Sequence, residues 1–134
     1  MFDGQHLWYA LPSGRVLCYP YARLEPEGVT YAKASWKPAA DAKEWPRARL
    51  WRGLACENVT QACAHDLLRH SLRQLDQMGM EVILTIHDEI VLEADKAKAD
   101  WAAEQLVRVM CEAPVWGQGL PLNAEVAVMQ RYGK

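Results

Sequence analysis

The sequence lacks the long apolar run that a membrane-spanning helix needs. No apolar stretch approaches the roughly 20 residues that cross a bilayer, and the N-terminus has no signal-peptide pattern. The few cysteines are scattered without a C-x-x-C pair, which argues against structural zinc; they are Cys18, Cys56, Cys63 and Cys111. We therefore expect a cytoplasmic protein with no membrane partner and with reduced, partly buried thiols.

The sequence also lacks an excess of positive charge, because its formal net charge is −2. The charge of the whole chain therefore gives no indication of nucleic-acid binding. Basic residues do gather in the middle of the chain and on the segment that follows: Lys33, Lys37, Lys43, Arg47, Arg49, Arg52, Arg69 and Arg73. A run of this kind is more often a solvated surface than a binding site.

Length and turn signals predict one domain over residues 1–134. Residues 1–24 are predicted to form an N-terminal hairpin, because strand-like runs flank the turn sequence PSGR at 12–15. Residues 25–49 are expected to be a loop-rich connection with one short strand near 29–34, because prolines and glycine interrupt the periodicity. The remaining residues, 50–134, are predicted to form a core of helix and hairpin.

A long helix is predicted over residues 50–78, with Gly79 as its C-cap. One stripe of this helix, at alternating spacings of three and four, is polar in its first half and leucine-rich in its second. Its members are Leu54, Asn58, Gln61, His65, Leu68, Leu72 and Leu75. The polar half either emerges from the core or faces a polar site, and the spacing leaves both readings open.

A second hairpin and a second helix complete the predicted α+β fold. The β-branched runs at 81–86 and 90–93 predict a tight hairpin whose first strand is buried. Asp95 is expected to N-cap a helix over 96–111, and residues 122–129 are expected to be a final strand. The predicted apolar face of the second helix comprises Ala99, Ala103, Leu106 and Met110.

The turn of the second hairpin carries the residues best suited to chemistry, His87, Asp88 and Glu89. A carboxylate at a rigid apex is a good ligand for magnesium, which prefers oxygen. Glu89 could share such an ion only if the turn breaks the alternation of side chains along a strand. His87 could bind a phosphate or a sugar hydroxyl, or simply support the turn. Polar residues dominate hairpin turns in any case, so the tripeptide alone is a weak signal.

Two longer motifs change this weighting. The segment 83–93, ILTIHDEIVLE, closely resembles the third conserved motif of family A, DNA polymerase I-like DNA polymerases. The segment 57–68, ENVTQACAHDLL, resembles the helix that precedes that motif, at the same distance. The E-N-x-x-Q-A form, with Gly53 before it, is similar to phage-type members, as are the opening strand and the tail QRYGK. The resemblance is strongest from residue 53 onward.

The resemblance implies that this chain forms the C-terminal part of a polymerase palm. Asp88 matches the catalytic aspartate that ligates magnesium, Glu89 the adjacent supporting acid, and His87 the residue near the primer terminus. Gln61 matches a glutamine that lies along the minor groove of the primer–template DNA. Asn58 and His65 share its stripe and are expected to face DNA as well, an inference from periodicity alone. The complete enzyme would use two magnesium ions and deoxynucleoside triphosphates.

Two parts of that family pattern are missing from the sequence: a second palm aspartate, in an Asp-Tyr-Ser-x-Ile-Glu strand, and a fingers helix with Arg and Lys. We therefore expect this chain alone to be inactive and to need an upstream polymerase polypeptide. A non-catalytic DNA- or partner-binding palm module and a folded prophage remnant are the alternatives. A sheet edge left exposed by the missing strands would favour self-association.

Overall fold

The computed structural model describes residues 1–34 and 45–133, which contain short strands and two α-helices. The strands are β1 (Leu7–Ala10), β2 (Val16–Tyr19), β3 (Arg23–Glu25), β4 (Gly28–Ala32), β5 (Arg47–Arg49), β6 (Glu81–Ile86) and β7 (Glu89–Glu93); the helices are α1 (Arg52–Gln77) and α2 (Ala99–Cys111). The chain divides into two compact units, Met1–Cys63 and Ala64–Lys134. The mixed α and β content agrees with the predicted class.

The first unit begins with the predicted hairpin. Strands β1 and β2 pair antiparallel, with Leu7 opposite Tyr19 and Ala10 opposite Val16. Gly14 has φ +85° in the connecting turn, a conformation that glycine adopts without a steric penalty. The N-terminal hairpin predicted within residues 1–24 is therefore confirmed, with one strand on each side of the predicted turn.

The segment predicted as a loop-rich connection contributes an antiparallel sheet in the order β3–β4–β5. The short strand near residues 29–34 is confirmed as β4, but the other two strands were not predicted. Strand β3 begins before the segment, and both outer strands have three residues, too short for a periodic signal. Two members of the basic run noted in the sequence, Lys37 and Lys43, lie outside the described part of the chain.

The long helix is confirmed as α1, and its end has a clear cause. Gly79 has φ +70°, and its N–H donates to the carbonyl of Asp76 at 2.9 Å. The N–H of Met80 donates to the carbonyl of Leu75 at 3.0 Å. These two bonds form a Schellman motif, in which glycine takes the left-handed position, so the predicted C-cap is correct.

The second unit has its own apolar core, built from the second half of α1, the β6–β7 hairpin and α2. Leu75 and Val109 are fully buried, and Ile90 joins them. Leu68 and Leu72, from the predicted stripe, pack against this cluster. Ser71 Oγ donates to the carbonyl of Val109 at 3.4 Å, which links the two helices through a buried polar contact.

Strand β6 is half-exposed, so the predicted buried strand is wrong. Its residues alternate between exposed and partly buried positions, and Ile83 is 52% exposed. The register shifts between Val82 and Leu84, which leaves Ile83 as the extra residue of a β-bulge. A two-stranded sheet covered on one face needs only alternate apolar residues, and the continuous apolar run concealed this.

The start and inner face of the second helix also differ from the prediction. Residues Lys96–Lys98 form a 3-10 turn, and the side chain of Asp95 makes no capping hydrogen bond. Helix α2 begins at Ala99. Its most buried positions are Ala102 and Val109, which were not predicted, whereas Leu106 and Met110 of the predicted face do pack against the core, so that face is confirmed in part.

Residues 122–129 form no strand in the structure, so the predicted final strand is wrong for this chain. Val126, Val128 and Met129 are each more than 40% exposed. A strand is defined by ladder hydrogen bonds to a neighbour, and no described strand pairs with this segment. Its apolar pattern indicated a strand, but the pattern does not supply a partner.

Candidate functional site

The candidate catalytic residues lie at the tip of the β6–β7 hairpin. Ile86 and Glu89 pair across the hairpin, so His87 and Asp88 form a two-residue turn. His87 has φ +54°. Two-residue hairpins need a positive φ at the first or at both central positions, and histidine enters this region more readily than most side chains. The tight turn therefore holds both side chains at a fixed, exposed apex.

Glu89 differs from its two neighbours because it is half-buried and begins strand β7. The Tyr132 hydroxyl donates a hydrogen bond to Glu89 Oε2 at 3.1 Å. Sequence reasoning did not assign Tyr132 to the site, although it used the surrounding tail as part of the family resemblance. Asp88 lies in the turn rather than in a strand, so the alternation rule does not separate its side chain from that of Glu89.

The apex suits a hard cation only in part. Asp88 and Glu89 provide adjacent carboxylates, and magnesium is usually held by one or two carboxylates together with substrate phosphates and water. Within the described residues, no three His, Cys, Asp or Glu side chains form a group that could hold a metal ion. Any magnesium at this apex would therefore need further oxygen ligands from substrate, water or another polypeptide.

The polar half of α1 contributes to a cavity within the first unit. Asn58 Nδ2 donates to the Tyr19 hydroxyl at 3.2 Å. An open cavity of about 300 Å³ is lined by Leu17, Cys18, Tyr19, Tyr31, Asn58 and Gln61. Two predicted DNA-facing residues thus line one cavity, with Asn58 half-buried and Gln61 exposed. Tyr19 was not predicted as a partner because its strand is far from α1 in sequence.

Burial affects the tyrosine and thiol groups of this cavity. The pKa of Tyr31 is raised, mainly by burial and in addition by Tyr19, whose ring packs edge-on at a centroid distance of 5.2 Å. The pKa of Cys18 is raised by burial and by the negative charge of Asp3. Both groups are therefore neutral near pH 7, so the cavity offers apolar and hydrogen-bonding surface without charge.

His65 lies in the second unit, where it is exposed on α1. Its neighbour Asp66 is 7% exposed, and its carboxylate is 3.9 Å from Arg69 Nη1. A buried carboxylate needs such partners to offset lost hydration. Asp66 belongs to the motif but was not chosen as a site residue, and its burial indicates a structural role.

The state of the cysteines and the character of the helices can also be compared with the sequence predictions. The four cysteines are free; Cys18 and Cys56 are exposed, which differs from the expected partial burial, whereas Cys63 and Cys111 are half-buried. Among the described residues, no helix combines the length and apolarity needed to cross a membrane.

Three known proteins that are similar in sequence to this chain are all DNA polymerases. The chain is 31% identical over 135 aligned residues to a DNA polymerase of Bacillus phage SP02, an alignment that covers 100% of this chain and 20% of the relative. It is 35% and 33% identical over 79 residues to the thermostable DNA polymerases I of Thermus aquaticus and Thermus thermophilus, covering 56% of this chain and 9% of each relative.

No protein-family profile and no solved structure matches the chain. The chain spans about a fifth of the phage relative and less than a tenth of each Thermus relative. The resemblance predicted from the two motifs is nevertheless confirmed: this chain is similar in sequence to family A, DNA polymerase I-like DNA polymerases, including one from a phage.

Proposed function

We propose that this chain forms the C-terminal part of the palm of a family A DNA polymerase and provides half of its metal site. The observation that carries the proposal is the position of Asp88. Its carboxylate is exposed at the apex of a two-residue turn whose ends are fixed by the Ile86–Glu89 pair. The turn lies in the segment that resembles the third motif of the family.

In this proposal Asp88 is a carboxylate ligand that would hold magnesium at the apex. Magnesium, when bound, would activate the attacking primer oxygen and stabilise the leaving oxygen during nucleotidyl transfer. Asp88 contributes negative charge at a fixed point, because the turn leaves it little backbone freedom. Two ions need more carboxylates than this apex offers, so the second palm aspartate would come from another polypeptide or another part of a longer chain.

Glu89 and His87 are proposed to support this ligand. Glu89 adds a second carboxylate beside Asp88, held by the hydrogen bond from Tyr132. His87 would approach the primer terminus, where its exposed ring could donate a hydrogen bond to a phosphate or sugar oxygen. Both roles follow from the resemblance, and the shared turn gives them a common location.

Gln61, Asn58 and His65 are proposed to contact primer–template DNA along the minor groove. All three lie in α1, and Gln61 and His65 are exposed. An amide can donate to the base acceptors that every base pair presents in the minor groove, so it can hold a duplex without selecting a sequence. Asn58 already donates to Tyr19, which fixes its amide at the wall of the cavity.

In this proposal the chain is only one part of a polymerase. Deoxynucleoside triphosphates and primer–template DNA are substrates of the complete enzyme, and this chain resembles only about a fifth of its phage relative. We therefore propose that the chain synthesises no DNA alone and acts with an upstream polymerase polypeptide.

Primer extension tests this proposal. The purified chain is assayed with magnesium and deoxynucleoside triphosphates, first alone and then mixed with the part of the SP02 polymerase outside the similar region. We expect no extension by the chain alone and measurable extension by the mixture. In a second arm, this chain replaces the similar region of the SP02 enzyme. Comparison of the two arms distinguishes a failure of the two polypeptides to associate from a defect in the active site.

Other results would change the conclusion. Extension by the chain alone would refute incompleteness. If neither arm extends a primer while the chain binds primer–template DNA with a clear salt dependence, a non-catalytic DNA-binding module becomes the better account. If the chain neither restores synthesis nor binds DNA, the proposed function is wrong.

A further inference from the structure

The β3–β4–β5 sheet carries an arginine-rich face that the proposed function does not use. Cross-strand partners in an antiparallel sheet share a face, as do residues two apart in one strand. Arg23 pairs with Thr30, and Thr30 pairs with Arg49. Arg47 lies two residues before Arg49 and so shares its face. We call Arg23, Arg47 and Arg49, with Thr30 and Glu25, the arginine face.

Hydrogen bonds confirm that these side chains share one side of the sheet. Thr30 Oγ1 donates to Glu25 Oε1 at 3.0 Å and accepts from Arg47 Nη2 at 2.7 Å. Arg47 also donates to the carbonyl of Tyr21 at 3.0 Å, and its Nε lies 3.7 Å from Glu25. Arg47 and Glu25 are thus engaged with each other and with Thr30.

The two outer arginines are differently placed. Arg23 and Arg49 are exposed, and among residues 1–34 and 45–133 neither guanidinium group makes a hydrogen bond or an ion pair. The Arg49 guanidinium extends over Gly28, where a Cβ would come within 3.7 Å of its Nε. Their backbones are two strand spacings apart, on the order of 10 Å. Two arginine side chains therefore project from one face of the sheet.

The charge of this face contrasts with the rest of the chain. Three arginines against one glutamate give the face a formal charge of +2, whereas the whole chain has −2. Guanidinium groups that lack a carboxylate partner match the geometry of phosphate oxygens. Thr30 lies between them, but its hydroxyl already donates to Glu25 and accepts from Arg47, so the two outer guanidinium groups are the donors that this face offers to a phosphate.

The opposite face of the same sheet has a different character. Leu24, Val29, Tyr31 and Ala48 alternate with the arginine-face residues, and Tyr31 lines the cavity that contains Gln61. The arginine face therefore points away from that cavity. A nucleic-acid segment bound at Gln61 would therefore not contact the arginine face at the same point. The arginine face is a separate surface.

We propose that the arginine face is a second nucleic-acid-binding surface, which holds the phosphate backbone through Arg23 and Arg49. The proposal rests on the proposed function only in that both assign nucleic acid as the ligand. It requires no polymerisation. Contacts of this kind read no sequence, so they would position a strand rather than select it.

The test measures binding of the full chain to a short fluorescein-labelled DNA by fluorescence anisotropy over roughly 50–200 mM salt. Single-stranded and duplex forms of one sequence are compared. The test variant is Arg23→Gln/Arg49→Gln. The matched control, Lys96→Gln/Lys98→Gln, removes the same charge from exposed residues of the second unit. A further variant, Arg23→Lys/Arg49→Lys, retains the charge, and circular dichroism verifies that every variant is folded.

We expect the test variant to bind roughly tenfold more weakly and to lose about 1.8 from the salt slope on duplex DNA, or about 1.4 on a single strand. The strand form whose slope falls by its own expected amount is the form that the face holds. The lysine variant should keep the slope, and the control should lose little. An unchanged slope, an equal loss in the control, or no DNA binding by the wild-type chain would overturn the inference. Loss on Gln61→Ala alone would leave the proposed function intact and reject the arginine face.

Discussion

The Tyr132 hydroxyl lies 3.1 Å from Glu89 Oε2 and donates a hydrogen bond to it. This contact joins the end of the described chain to the first residue after the His87–Asp88 turn. A residue 43 positions away in sequence thereby restrains the orientation of a carboxylate beside the candidate metal ligand.

Tyr132→Phe is the most direct probe of this restraint. Because the contact is solvent-exposed, we expect the free energy of unfolding in urea to fall by no more than about 1 kcal/mol. The rate of DNA synthesis by the reconstituted polymerase should fall by more than this small loss of stability would cause, because Glu89 loses the hydrogen bond that restrains its carboxylate. Tyr9→Phe, on the exposed side of β1, is the control. Equal effects of the two variants would reject a role for Tyr132.

The positive φ of His87 gives a prediction about stability. Replacing His87 by Gly removes a conformational penalty of about 1–2 kcal/mol and adds an unfolded-state entropy cost of about 0.5–1 kcal/mol. We therefore expect His87→Gly to be as stable as the wild-type chain or slightly more stable. His87→Val should be clearly less stable, because a β-branched side chain fits this region poorly. Chemical denaturation that ranks Val above Gly would contradict the turn geometry.

Asp3 gives a prediction about pH. Its carboxylate accepts hydrogen bonds from Trp8 Nε1 at 2.8 Å and from the backbone N–H groups of His6 and Gln5, in order of their effect, and these hold the pKa of Asp3 well below its usual range. Since the folded pKa is lowered, ionised Asp3 stabilises the N-terminal turn above the ordinary value of 3.8. This stabilisation is lost as the pH falls toward the lowered pKa.

Carboxyl NMR titration of Asp3 tests this assignment. Trp8→Phe removes the largest cause and should raise the pKa of Asp3 toward 3.8. Trp101→Phe removes an indole from the second unit and serves as the control. A wild-type titration midpoint at the ordinary carboxyl value would show that the hydrogen bonds do not form.

Gln61 gives a prediction about the first DNA-binding surface. Gln61→Ala removes an exposed amide from α1, so stability should change by less than about 0.5 kcal/mol. Affinity for primer–template DNA should fall by roughly tenfold, because a hydrogen bond to a base edge is lost. Gln77→Ala, the same change at the exposed end of the same helix, should have no effect. Anisotropy titrations that show equal affinity for both variants would remove Gln61 from the interface.

The sequence predicted elements whose signals are local. Helix α1, its Gly79 cap and both hairpins follow from spacing and turn chemistry that lie within a few residues of each other. Strands β3 and β5 escaped prediction because three residues carry no periodicity. The segment 122–129 had the pattern of a strand, but pairing depends on a partner that the pattern cannot specify.

In the candidate site, too, local features were predictable and contacts between distant residues were not. His87, Asp88 and Glu89 were predictable as a turn because they are adjacent, and the family resemblance gave them chemical roles. The contacts from Tyr132 to Glu89 and from Asn58 to Tyr19 join residues 43 and 39 positions apart. Such contacts form only when the fold is complete, so neither spacing nor composition could reveal them.

The proposed function depends on Asp88 as a metal ligand of a DNA polymerase palm. The most direct test is magnesium-dependent primer extension by the SP02 polymerase in which this chain replaces the similar region, comparing Asp88→Asn with Asp76→Asn, an exposed aspartate at the end of α1. We predict that Asp88→Asn reduces the rate at least about a hundredfold while the Asp76 variant retains it, because loss of a metal ligand removes several kcal/mol of transition-state stabilisation. Equal rates for the two variants would contradict this role of Asp88.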